Sequence, residues 1–153
     1  MASNLKVFSL NIGMSDNLAG LVNFIVNESL DIIFLQEVKM TSEHLCFQVN
    51  KLGYLAEVNI NEDEPTKPGT ALLWKSCLPV QDVTNLVQCR CQIAFMDQFL
   101  LVNIYAHSGS DKRHHRGELF ANDLFQFFNV HKSSSIIFGG DFNSVLSAYD
   151  IEE

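Results

Sequence analysis

The period of apolar residues changes several times along the chain, and each change marks a predicted element. Leu5 to Leu10 is a short run of strand formers, broken at Asn11, Ile12 and Gly13, after which Ser15, Asp16 and Asn17 supply helix caps. Leu18, Leu21, Val22, Ile25 and Leu30 then recur at helical spacing opposite Asn23 and Asn27. At Asp31 the pattern becomes a continuous apolar run, Ile32-Ile33-Phe34-Leu35, ending at Gln36-Glu37, as in a buried strand. Strand, helix and strand with short links make a βαβ unit, whose crossover sets the strands parallel and brings Asn11 and Glu37 to one edge of a sheet.

A second helix is predicted from Ser42 to Leu52, capped by Thr41, with Leu45, Val49 and Leu52 on its apolar side and Gly53 as terminator. Tyr54 to Ile60 is extended, and Asn61 to Gly69, with Glu62-Asp63-Glu64 and two prolines, is a surface loop. Strands follow at Thr70 to Trp74, Val80 to Val87, Cys91 to Met96 and Phe99 to Ala106, the last two joined as a hairpin around Asp97-Gln98. A polar stretch, His107 to Arg116, precedes a helix whose apolar stripe is Phe120, Leu124, Phe127 and Phe128. Ser135 to Phe138 is a short buried strand, and Gly139-Gly140 predicts a turn of the backbone before Asp141-Phe142-Asn143. No internal repeat or linker divides residues 1–153, which therefore read as one domain.

Composition narrows the class. Of 153 residues 47% are hydrophobic and 18% charged, which excludes a disordered tail or a low-complexity segment. No run reaches the roughly 18 apolar residues of a membrane span, and Met1 to Lys6 lacks the regions of a signal peptide. A soluble intracellular protein is expected, the nucleus included as a location, with no membrane association and no obligate protein partner. Cys46, Cys77, Cys89 and Cys91 lack paired spacing and secretory context, so reduced thiols are expected rather than disulfides or a zinc site.

Four apolar strands end in polar residues able to bind a metal or a phosphate: Asn11, Glu37, the pair Asn103 and Tyr105, and Asp141 with Asn143. Any one alone reads equally well as a turn residue, a solvated end or a buried ring. Together, Ser9-Leu10-Asn11, Leu35-Gln36-Glu37, Asn103-Ile104-Tyr105-Ala106 and Gly140-Asp141-Phe142-Asn143 resemble, in order and spacing, the endonuclease/exonuclease/phosphatase superfamily. Within it, Asn103 to Ala106 and the run from Gly140 through Ser144 to Asp150 are most similar to the apurinic-type endonuclease domains of LINE-type retrotransposons.

The resemblance implies an α/β fold, a two-sheet sandwich flanked by helices, and a hydrolase of phosphate esters dependent on Mg²⁺, or on Mn²⁺ in its place. It implies Glu37 and Asn11 as metal ligands, a role that suits a hard cation that prefers oxygen and keeps several waters. It also implies Asp141 as the group that orients or deprotonates water, Asn143 as the support of that carboxylate or of a phosphate oxygen, and Tyr105 as a phosphate contact. Asn103 is a candidate either for substrate contact or for buttressing its strand end. Gly13 stands where many family nucleases carry a further Asp or Asn, leaving Asp16 as substitute and implying weaker metal binding.

The family's C-terminal Asp-His pair has no counterpart before Glu153, and His44, His107, His114, His115 and His131 all lie in other contexts. A domain incomplete at its C-terminus is therefore expected, truncated before its second sheet is complete, with exposed apolar surface and an unpaired strand edge. Eighteen acidic against 10 basic residues give a net charge of −8, which repels DNA at long range. The basic patch Lys112 to Arg116, with Arg113 and Arg116 as substrate-binding candidates, reads either as a grip on a phosphate backbone or as a solvated loop. Three functions follow: a DNA-nicking endonuclease domain of retrotransposon type, a phosphatase or phosphodiesterase acting on a lipid or small phosphate ester, and a non-catalytic remnant serving as a binding module.

Overall fold

The computed structural model describes residues 4–131 and 134–143, with Ser110 described for its backbone alone. Strands β1 (Val7–Asn11), β2 (Ile32–Val38), β3 (Tyr54–Asn59) and β4 (Gly69–Lys75) form one sheet in the order β1-β2-β4-β3. Strands β5 (Val80–Val87), β6 (Cys91–Met96), β7 (Phe99–Tyr105) and β8 (Ser135–Asp141) form a second in the order β5-β6-β7-β8. Each sheet holds one parallel pair, β1 with β2 and β7 with β8, and is otherwise antiparallel. In register, Asn11 lies opposite Gln36 and Tyr105 opposite Asp141, so the carboxyl ends of both parallel pairs finish in polar residues.

Strand β2 is buried on both faces, which explains its unbroken apolar run. Ile33 and Leu35 pack outward with Leu18, Ile25, Leu45 and Val49 of α1 (Leu18–Asn27) and α2 (Ser42–Val49). Ile32 and Phe34 point the other way and join Leu72, Trp74, Ala94, Met96 and Leu101 in the layer between the sheets. On the far side of the second sheet, Leu119 and Leu124 cover Ile93, Val102 and Ile104. The order of layers is helix, sheet, sheet, helix: an α/β two-sheet sandwich.

Caps set the helix bounds. Asn17 accepts from Gly20 N–H at 3.1 Å and Thr41 from His44 N–H at 3.2 Å, each satisfying an otherwise unpaired first-turn donor. The second helix ends earlier than Leu52, tightening into a 3₁₀ turn at Asn50–Leu52 before Gly53 turns left-handed at φ 84°. The polar stretch after Tyr105 is not all loop. Helix α3 (Arg113–Glu118) begins inside it and runs through a π-helical stretch, Leu119–Leu124, into α4 (Phe125–Val130). Phe127 and Phe128 pack only partly against the second sheet, and Phe125 is 65% exposed.

Gly139 and Gly140 require a correction, because both continue β8 instead of turning it. They are small for want of space. A Cβ on Gly139 would lie 2.2 Å from Phe34 Cδ2 in the facing sheet, and one on Gly140 would lie 2.4 Å from the Ile104 carbonyl oxygen. Strand β8 is the edge of its four-stranded sheet and exposes Ile136 and Phe138. At the opposite end of the first sheet, the Asp31 carboxylate accepts from Lys6 N–H at 2.7 Å and pairs with Lys75 Nζ at 2.8 Å, tying β1, β2 and β4 together. No helix among the described residues is long and apolar enough to cross a membrane.

Gly139→Ala is expected to lower unfolding free energy by about 1–3 kcal/mol, the range for overpacking a tight core. Urea denaturation reads the change, and the smaller Phe34→Leu ring replacement in the same chain recovers part of it.

Candidate active site

The last residues of β1, β2, β7 and β8 meet at one rim, and the backbone of β2 departs from regular geometry there. Its pairing with β4 slips between Gln36 and Val38, and the extra residue, Glu37, adopts φ 55°. A bulge of this kind re-aims one side chain while the strand on either side stays paired. The neighbouring turn is fastened to it: Ile12 N–H donates to the Gln36 carbonyl at 3.0 Å and Met14 N–H to the Glu37 carbonyl at 2.9 Å.

Asn11 joins the carboxylates. Its Nδ2 donates to Glu37 Oε1 at 3.0 Å and to Asp141 Oδ2 at 2.9 Å, while its Oδ1 accepts from Gly13 N–H at 2.8 Å. The two acids, from different sheets, therefore present oxygens at most about 6 Å apart around one nitrogen. Gly13 takes part through its backbone alone, and Asp16 lies in an exposed cleft with Met14, Lys39 and His44. As oriented, Asn11 offers its amide nitrogen to the space between the acids, so its expected role as a metal ligand becomes that of a spacer, its oxygen being held by Gly13.

Asp141 is held from its other side by Asn143, although not by the Asn143 side chain. Asn143, at φ 46°, donates its backbone N–H to Asp141 Oδ1 at 3.0 Å, and its Nδ2 donates to the Ala106 carbonyl at 2.6 Å. Tyr105 closes the rim with 7% of its surface exposed. Burial, then the nearby Glu37 charge, pushes its phenol above the ordinary tyrosine value, against the pull of Arg90, so the hydroxyl keeps its proton. Arg90 was not foreseen: its guanidinium carbon lies 4.6 Å over the Tyr105 ring and its Nη1 donates to the Tyr105 carbonyl at 3.3 Å. A lone arginine between Cys89 and Cys91 at a hairpin carries no pattern that would have singled it out.

Asn103 is fully enclosed, which removes substrate contact as its role. Its Nδ2 donates to the Leu35 carbonyl at 3.1 Å and the Ala71 carbonyl at 2.9 Å in the other sheet. Its Oδ1 accepts from Gln36 Nε2 at 2.9 Å, and Gln36 in turn donates to Ser9 Oγ at 3.2 Å. Ser9 Oγ also accepts from Gly140 N–H at 2.9 Å. The residues preceding Asn11, Glu37 and Asp141 are thus linked beneath the rim.

The basic candidates divide. Arg116 Nη1 donates to the carbonyls of His107 at 2.8 Å and Gly109 at 2.7 Å, so it shapes the segment after β7 rather than facing a ligand, whereas Arg113 is exposed near the start of α3. His107 is pushed down to about 4 by burial, then by the charges of Arg90, His115, Lys112 and Arg116. Cys91 is pushed up to about 12 by burial and by Asp123, and all four cysteines are free thiols. Among the described residues no three His, Cys, Asp or Glu side chains gather in one place. Two carboxylates around one point suit a hard cation that retains water, and lack the nitrogen or sulfur donors of a zinc centre. Ser144 to Asp150 and the chain up to Glu153, on which the expected absence of the Asp-His pair bears, lie outside the described residues.

With this geometry in place, the comparisons agree on the class. The sequence profile of the Endonuclease/Exonuclease/phosphatase family matches residues 8–153, and the chain belongs to that family. Against curated protein sequences the chain has no match. TDP2 from Caenorhabditis elegans superposes with TM-score 0.67 at 22% identity, over 97% of this chain and 49% of that one. An AP endonuclease from Archaeoglobus fulgidus gives TM-score 0.73 at 16% identity, over 98% and 62%. The 3′ phosphatase NExo from Neisseria, bound to a product DNA hairpin, gives 0.72 at 17%, over 94% and 59%. The chain thus spans between about half and two thirds of the length of these structures.

The depressed His107 has a measurable consequence. Between about pH 6.5, where the unfolded imidazole titrates, and about 4, where the folded one does, the unfolded chain binds the extra proton. Stability therefore falls as pH drops through that window, and His107→Gln is expected to flatten this part of a melting-temperature curve recorded from pH 7 to 4.

Proposed function

We propose that the chain is the catalytic part of a divalent-cation-dependent phosphodiester hydrolase that cuts nucleic acid, a DNA-nicking endonuclease in its simplest form. The observation that carries this reading is the shared amide of Asn11 between Glu37 and Asp141, with a protonated tyrosine and an arginine alongside. Bound by Glu37 and Asp141, Mg²⁺ or Mn²⁺ would neutralise phosphate charge and the leaving oxygen.

The remaining work falls to the chain itself. Asp141, its Oδ1 fixed by the Asn143 N–H, accepts a proton from the attacking water and sets its direction at phosphorus. Tyr105 donates its hydroxyl to a non-bridging phosphate oxygen, where negative charge grows in the transition state. Asn11 keeps the two acids at a fixed spacing. The match of Asn103-Ile104-Tyr105-Ala106 and Gly140-Asp141-Phe142-Asn143 to the domains of LINE-type retrotransposons supports the narrower assignment to that group. A phosphomonoesterase using the same site is the second reading, and the net charge of −8 favours it by weakening attraction for a polyanion.

Incubation of supercoiled plasmid with Mg²⁺ is expected to give nicked circles, and chelation of the metal to abolish them. Glu37→Gln and Asp141→Asn are each expected to reduce the rate by about 100-fold or more, the scale of losing one catalytic group. Nicking that survives both substitutions would refute the assignment, and release of inorganic phosphate without nicking would select the second reading.

A further inference from the structure

On the far side of Tyr105 from the paired acids lies an open cleft of about 390 Å³, lined by Lys67, Gln88, Cys89, Arg90, His107 and Lys112. Its cations come from three separate segments: the loop before β4, the turn between β5 and β6, and the segment after β7. That convergence in a chain of net charge −8 is local and not a by-product of composition. The His107 ring registers it, since Arg90, His115, Lys112 and Arg116 all oppose its protonation.

The turn that carries Arg90 is held firmly. Buried Asn59 in β3 donates to the Val87 carbonyl at 2.9 Å and the Cys91 carbonyl at 3.3 Å, and accepts from Cys89 N–H at 3.0 Å. The turn is thereby pinned to the first sheet, and Arg90 stands between the cleft and the Tyr105 ring. Lys67 pairs with Glu64, and Lys112 lies 3.8 Å from Asp111. Both pairs are exposed, and such pairs are worth so little that a better anion displaces the carboxylate.

We propose that this cleft binds a second phosphate of a nucleic-acid strand whose scissile phosphate lies at Glu37 and Asp141. The proposal rests on the phosphodiesterase reading of the acid pair and adds the substrate class. A small phosphate ester carries one phosphate and reaches one of the two sites. A strand repeats its phosphates at every nucleotide and spans both, so local cations offset the overall negative charge of the chain.

The test uses the full chain and the double variant Lys67→Glu/Lys112→Glu, with a fluorescein-labelled single-stranded oligodeoxynucleotide as probe and bis(4-nitrophenyl) phosphate as a small diester. Anisotropy is expected to show about 10-fold weaker strand binding in the variant and a slope of log affinity against log salt shallower by about 1.4, from two lost phosphate contacts at roughly 0.7 each. Hydrolysis of the small diester is expected to stay within about 2-fold, because neither lysine touches the acid pair. In the unsubstituted chain, the oligonucleotide is expected to raise the apparent pKa of His107 from about 4 in an NMR titration, since a nearby anion favours imidazolium. Lys67→Gln/Lys112→Gln should fall between the two chains. Equal strand affinity in all chains together with an unmoved His107 signal overturns the proposal. Strand binding with the expected salt slope but no hydrolysis of either ester leaves the cleft standing and refutes the catalytic reading instead.

Discussion

The amide of Asn103 reaches out of β7 into the facing sheet, and the arrangement of the rim depends on it. A fully buried carboxamide is costly unless both ends are hydrogen-bonded, and here each end has partners: two carbonyls of the β2–β4 ladder take its N–H groups, and Gln36 supplies a donor to its oxygen. Apolar packing between two sheets tolerates sliding by a fraction of a residue, since one methyl group resembles the next. Directional bonds to particular carbonyls fix the register. Through Gln36 and Ser9 the same chain of contacts extends to Gly140, so the strands that end in Asn11, Glu37 and Asp141 are set relative to one another before their terminal side chains are considered.

Much of this was legible in the chain, and the reasons differ by element. Strand β2 and helix α1 follow from an abrupt change of hydrophobic period, a signal that arises because the strand is buried on both faces and the helix on one. The strand-end residues were visible because polar side chains closing apolar runs are conspicuous. Gly139-Gly140 was misread because a glycine pair has the composition of a turn, whereas its cause lies in Phe34 and Ile104, remote in sequence. Sequence carries no local trace of a ring pressed on a backbone.

Charge was the least legible property. The run Lys112 to Arg116 is the densest basic segment, yet Arg116 turns inward to hold carbonyls of its own chain, and the cation beside Tyr105 is the solitary Arg90. Density of charge along a sequence measures little about where positive potential gathers in space. That is set by which loops the sheets bring together, and here three loops distant in sequence share a single cleft.

The neutral nitrogen between Glu37 and Asp141 has a consequence for how the protein is made. Two carboxylates brought this close repel, and many metal sites remain unformed until their ion arrives because nothing else offsets that repulsion. Asn11 supplies a donor to each, and the Asn143 backbone supplies another to Asp141, so the acids are held in place by the polypeptide itself. Maturation on the ribosome is thereby uncoupled from ion supply: the chain can complete its architecture in a metal-poor setting and acquire its cation afterwards, by exchange with water at a rim already built.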